Sequence, residues 1–237
     1  MAPWTPGSSP GVTTRGIRQV RWNWCPSLDW AVLWEYRAAL AEGFVITLAI
    51  SAAAIVGATV AGVLVGLAAE ARSYLLRKLT GAYTELLRNL PLIVKLFFLY
   101  FVAGLPVMPA ALAALVLHQS AYIADVTAAG LRSVARGQMD AAVSLGLRWR
   151  QAMRLVVLPQ MMRAMIPPMT SQWVAVIKNS SVVALIGVAD LTFQTQQINI
   201  DTFRGFEAAT AVTVLYMVLS LCVIAGMSRL QLRQPAR

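Results

Sequence analysis

FVITLAISAAAIVGATVAGVLVGLAA, from Phe44 to Ala69, runs for 26 residues without a single charge. Wound as a helix at 1.5 Å per residue it reaches roughly 39 Å, more than the ~30 Å hydrocarbon core of a bilayer. A second uncharged run, Ala208 to Ser228, repeats the pattern near the other end. Both read as membrane-spanning helices. The composition of the 237 residues agrees: 58% are hydrophobic and 13% charged, half of the roughly 25% charge of a soluble domain. That excludes a disordered chain and argues against a soluble enzyme. The expected fold is all-α and polytopic, with about five transmembrane helices.

Outward from the first span, the remaining crossings are drawn at Leu90–Leu105, Met108–Leu131 and Ala164–Ala189, with Ala208–Ser228 as the fifth. Gly57, Gly62 and Gly66 in the first span permit close helix packing. Before it, residues 1–26 are rich in Pro, Gly and Ser and read as a flexible lead-in; they contain three arginines and no apolar stretch suited to a cleavable signal peptide. Five of the seven tryptophans fall by residue 34, and Asp29–Ala41 has the spacing of an amphipathic helix lying on the membrane surface. Residues 1–43 thus form a lead-in and interfacial helix, 44–230 the transmembrane domain, and 231–237 a tail.

The net charge of +10 would suggest a nucleic-acid partner in a soluble protein, but here no soluble segment is long enough to form a basic domain. The basic residues instead orient the chain. Arg72, Arg77, Lys78 and Arg88 sit in segment 70–89, six arginines in loop 132–163, and Arg229, Arg233 and Arg237 at the tail. The positive-inside rule makes these segments cytoplasmic and faces the excess charge toward anionic lipid. Five crossings then place the N-terminus outside and the C-terminus in the cytoplasm, although Arg15, Arg18, Arg21 and Arg37 pull the other way.

No Walker loop, HExxH or GxSxG occurs, and Cys25 and Cys222 lie too far apart in sequence to suggest a disulfide framework or metal site. The chain is expected to be neither an enzyme nor a metal or cofactor protein. The informative stretch is the cytoplasmic loop 132–163. Within it Ala141, Ala142 and Leu145 fall on one helical face, and Gly146 supplies the left-handed residue that ends a helix. A short helix with small side chains suits docking into a groove on another protein; it suits equally a plain surface helix between spans.

Gln138 to Pro159 resembles the EAA motif of ABC-transporter permeases, with Asp140 in place of the usual Glu. Arg88-Asn89-Leu90-Pro91-Leu92-Ile93-Val94, Ala121-Tyr122-Ile123-Ala124, Pro167-Pro168-Met169-Thr170-Ser171-Gln172, Lys178-Asn179-Ser180-Ser181 and Phe206-Glu207-Ala208 are similar to the polar amino-acid branch. The resemblance covers about residues 40 to 230 and implies a type I ABC importer permease. It further implies a second permease subunit, a separate ATP-binding subunit that holds the ATP, and an extracytoplasmic substrate-binding protein. Asp140, Ala141, Ala142, Leu145 and Gly146 would form the ATPase-coupling helix. The Pro-Pro-Met-Thr-Ser and Lys-Asn-Ser-Ser blocks look most like glutamate/aspartate permeases.

Ionisable residues inside spans are costly and invite functional readings. Lys95 stands where this family usually has Gln; it could attract a substrate carboxylate or snorkel to the interface. Lys178, with Asn179, Ser180 and Ser181, could line the path, gate it or tie helices together. His118, Tyr122 and Asp125 share one face of the third span and could line the path, relay protons or satisfy one another. Asp125 replaces the family's usual Glu, and Ala128 stands where an Arg is common, so the charge pair made by those two residues is absent or moved. A proton-coupled amino-acid carrier using His118 and Asp125 is the alternative to the importer.

Overall fold

The computed structural model describes residues 28–232, and they form ten α-helices. The expected lead-in 1–26 and the end of the tail, 233–237, lie outside the described residues. α1 (Ala31–Glu35) ends at Tyr36, and α2 (Arg37–Ala69) follows directly. The surface helix expected over Asp29–Ala41 is therefore split: only α1 stands apart, and Arg37 onward belongs to the first span. From Arg37 to Glu42 the residues Arg, Ala, Leu and Glu all favour a helix, and α2 runs on through the single Gly43.

α5 (Val107–Ser133) runs parallel to α2. Gly57 faces Val116, Gly62 faces Ser120 and Ile123, and Gly66 faces Ala124 and Thr127, so contacts advance together along both chains. Arg132 and Glu70 then pair at 2.5 Å where the two helices end. Parallel neighbours need a return crossing between them, and it is not the single span expected at Leu90–Leu105. The apolar helix there, α4 (Leu92–Phe97) with a π-helical extension to Val102, is too short to cross alone. It is preceded by α3 (Tyr74–Asn89), in a segment read from its charges as loop. Leu90 and Pro91 are extended between them, as the restriction on a residue before proline requires. Helical residues 74–102 share the return, broken once.

After α5 come α6 (Arg136–Ser144) and α7 (Trp149–Ala152), which leads through a π-helical turn into α8 (Leu158–Ser180) and a 3-10 segment to Ile186. α8 starts six residues before the expected Ala164. It absorbs Pro167 and Pro168, tolerated in a membrane helix where neighbours satisfy the freed carbonyls. α8 runs antiparallel to α5, since Gly130 faces Met161 and Met165 while Gln119 bonds Gln172 at 2.5 Å. α9 (Leu191–Thr202) is bent 48° from it, inside the stretch expected to be loop. α10 (Gly205–Leu232) is parallel to α2: Val32 and Leu40 pack with Ala208 and Val212, and Leu48 and Ile55 lie beside Leu219 and Val223. Three helices and one bent pair are long and apolar enough to cross a membrane. The core joins Ile50 and Ala54 of α2 to Ala110, Ala114 and Leu115 of α5 and to Val176 and Val183.

Candidate functional site

The break at Leu90–Pro91 leaves the last carbonyls of α3 without helical partners. Lys95, one turn into α4, folds back and supplies one: its Nζ lies 2.5 Å from the Leu87 carbonyl oxygen and 2.7 Å from His118 Nδ1. Lys95 is 6% exposed, so it neither snorkels nor faces an open path. An ammonium only donates, so Nδ1 accepts and the imidazole is the neutral tautomer with hydrogen on Nε2. The ring meets Tyr122 edge-on at 5.3 Å, the Arg88 guanidinium covers Tyr122 at 5.4 Å, and Arg88 ion-pairs with Asp125. The face seen in the sequence is real, and its three residues join one chain, with Lys95 at one end and Arg88 as the missing link. His118 and Asp125 have separate partners and form no relay. The charge pair that Asp125 and Ala128 left in question is made with α3 instead.

Beside this chain opens a cavity of about 500 Å³ lined by Gly81, Thr84, Glu85, Arg88, Asn89 and Tyr122. A carboxylate, an amide and hydroxyls line this space, beside a guanidinium already paired with Asp125. A second cavity, about 450 Å³, lies between α8 and α10. Pro167, Thr170, Ser171, Val174 and Lys178 line it from one stripe of α8, with Ile224 and Ser228 opposite. Lys178 is exposed there. Ser180 and Ser181 hydroxyls instead bond back to the carbonyls of Ile177 and Lys178 at 2.8 Å each, and Asn179 is half-buried. The serines are thereby committed to their own helix end, and Lys178 is the member of the quartet open to a ligand.

α6 begins after Ala135 and stops at Leu145, where Gly146 takes φ +88° and its N–H bonds the Val143 carbonyl at 2.9 Å. Ala142 points inward at 4% exposure, while Leu145 is 85% exposed and Asp140, Ala141 and Gly146 are exposed beside it. The outward face thus holds four of the five expected coupling residues, plus Val143, with Ala142 anchoring the helix to its own chain. α6 follows the ends of α2 and α5, on the side marked by Glu70–Arg132.

Asp190, one residue past the fourth span expected from the sequence, is fully buried. It caps α9 by accepting from the Phe193 N–H at 2.9 Å and takes the Tyr216 hydroxyl at 3.0 Å. Next to it the Leu191 N–H bonds Thr47 at 3.1 Å, so α2, α9 and α10 meet here. An Asp followed by a helix-length segment was the available signal.

The family described as binding-protein-dependent transport system inner membrane component matches residues 58–234. The glutamine transport system permease protein GlnP of Escherichia coli (strain K12) is 34% identical over 214 residues, covering 86% of this chain and 97% of that protein. The glutamate/aspartate import permease protein GltJ of the same organism is 29% identical over 229 residues, covering 88% and 93%. A solved structure described as an amino acid ABC transporter with histidines superposes with a TM-score of 0.82 at 28% identity, covering 88% of this chain and all of that one. The chain belongs to the family of binding-protein-dependent transport system inner membrane components: a multi-pass membrane permease, and not an enzyme.

Proposed function

We propose that the chain is the translocating subunit of an ATP-driven importer for a polar amino acid, with glutamine ahead of glutamate and aspartate as substrate. The observation that carries the preference is Lys95. The Pro-Pro-Met-Thr-Ser and Lys-Asn-Ser-Ser blocks suggest an acidic substrate, whose carboxylate Lys95 could attract, but that ammonium is held by Leu87 and His118. Arg88 is compensated by Asp125. Neither cation is left over for a side-chain carboxylate. Lys178 remains, and one cation suits the α-carboxylate common to all amino acids. The higher identity to GlnP than to GltJ supports the same order. A proton-coupled carrier loses its basis, since His118 and Asp125 do not meet.

The exposed face of α6 fits a separate ATP-binding subunit that holds the nucleotide, and membership of the binding-protein-dependent family supports an extracytoplasmic substrate-binding protein and a second permease subunit, identical or similar. The permease carries no cofactor of its own. Glu70–Arg132, α6 and the basic segments then lie at the cytoplasmic side, and five crossings put the N-terminus outside. The test is uptake of labelled glutamine into proteoliposomes holding the permease, its ATP-binding subunit and its binding protein. ATP-dependent uptake resisting excess glutamate is expected. Uptake by the permease alone, or equal competition by glutamate, overturns the reading.

A further inference from the structure

We propose that Arg150 and Arg154 form a binding site for the headgroup of an anionic phospholipid, at the point where α8 leaves the bundle. From Ala141 to Ala189 the chain contains no Asp or Glu, although it carries Arg148, Arg150, Arg154 and Arg163. The ion pairs among the described residues engage Arg88, Arg132 and Arg204 instead. Arg150 and Arg154 line a cavity of about 360 Å³ with Gln151 and Leu155. An anion is the missing component.

The depth of the site and its apolar neighbours specify a lipid. Met161 faces Gly130, within a turn of the Glu70–Arg132 pair that ends α2 and α5. Arg154 precedes Met161 by seven residues, about 10 Å of helix, which puts its guanidinium in the headgroup layer beyond the hydrocarbon core. Trp149, Leu155, Leu158 and Met162 are exposed on the same stretch, Leu155 at 63%. Exposed aliphatic side chains, a tryptophan and paired arginines together match the two halves of a lipid at a membrane surface: acyl chain below, phosphate above. A partner-protein carboxylate would satisfy the arginines but not this apolar belt.

The experiment is native mass spectrometry of the full-length permease in detergent, titrated with phosphatidylglycerol or with phosphatidylcholine of the same acyl chains. Arg150→Gln/Arg154→Gln should lower phosphatidylglycerol affinity about tenfold or more and leave phosphatidylcholine unchanged. Arg72→Gln/Lys78→Gln, which removes equal charge from the same end, should change it less than about twofold. Arg150→Lys/Arg154→Lys keeps the charge and should keep most of the binding, which guards against a folding defect in the Gln pair. Equal loss in both Gln pairs overturns the site, as does displacement of the lipid by excess inorganic phosphate. So does unchanged phosphatidylglycerol binding accompanied by loss of the co-purifying ATP-binding subunit, which would assign the surface to that protein.

Discussion

Lys95 Nζ donates to His118 Nδ1 at 2.7 Å while also closing the end of α3 through the Leu87 carbonyl. A cation at a helix C-terminus is favourable, and here it bridges the break at Pro91 to α5. Removing one partner of a buried charge costs more than removing both, because the charge stays behind. His118→Leu should therefore destabilise the permease by about 2 kcal/mol, and Lys95→Met/His118→Leu should recover at least half of that. Thermal unfolding of the purified variants in detergent checks it. A double variant less stable than His118→Leu would show that the pair is not the unit described.

The parallel packing of α2 on α5 predicts an ordered glycine series. A Cβ at Gly66 would stand 2.5 Å from the Ala124 backbone oxygen, whereas one at Gly57 would meet only the Val116 side chain, at 2.9 Å. Backbone cannot step aside and a valine methyl can. Gly66→Ala should cost about 1–3 kcal/mol through overpacking. In Gly57→Ala the improved helix propensity of about 1 kcal/mol offsets the contact, so the change should be near zero. Gly81, within α3 with nothing nearby, should gain stability as Ala. Melting temperatures of the three variants give the ranking directly.

How much of this was legible in the sequence depended on which force dominated locally. α2, α5 and α10 announce themselves because a bilayer demands long uncharged runs. α3 does not, since Arg72, Arg77, Lys78 and Arg88 give it the charge of a loop although Leu75, Leu76, Leu79 and Leu86 alternate with those charges at helical spacing. Periodicity there outvotes charge. His118, Tyr122 and Asp125 were visible as one helical face because i, i+4 and i+7 positions align within a single element. Their partners Lys95 and Arg88 lie across a proline break, and spacing along the chain says nothing about such pairings. Ala142 shows the finer limit: its periodicity with Ala141 and Leu145 is right, but which side of a short helix faces inward is decided by the neighbouring turn.

Asp190 should be among the most sensitive single positions. It is buried, caps α9 and receives Tyr216 from α10. Asp190→Ala loses the cap, worth about 1 kcal/mol, and the bond from the Tyr216 hydroxyl, which keeps only Thr192 at 3.2 Å, about 1 kcal/mol more. Tyr216→Phe removes only the hydroxyl and should cost less. Thermal unfolding that ranks Tyr216→Phe as the more damaging change would refute this account of the α9 cap.

Arg88–Asp125 should matter little for stability, with side-chain exposures of 49% and 44%. Pairs so exposed contribute about 0–1 kcal/mol. Its work is positional, because it keeps the guanidinium over Tyr122 and the cavity polar. Asp125→Asn is expected to leave the melting temperature within a degree or two while releasing Arg88 and raising the apparent affinity for glutamate relative to glutamine. Competition uptake assays on the reconstituted importer measure that ratio; an unchanged ratio would detach the pair from substrate choice.

Gly146 separates the shape of the coupling helix from its contacts. At φ +88° with open space around the Cα, any side chain fits sterically, so a substitution acts only through backbone strain. A β-branched residue resists the left-handed region, at roughly 1–2 kcal/mol, and Asn tolerates it. Gly146→Val should re-aim Leu145 and weaken co-purification of the ATP-binding subunit, with Gly146→Asn close to wild type. Leu145→Asp leaves the backbone alone and removes the exposed apolar contact; it should abolish co-purification without lowering the melting temperature. Strain and contact then act on one surface by two routes. If Leu145→Asp still bound the subunit at wild-type stoichiometry, the exposed face of α6 would not be the dock.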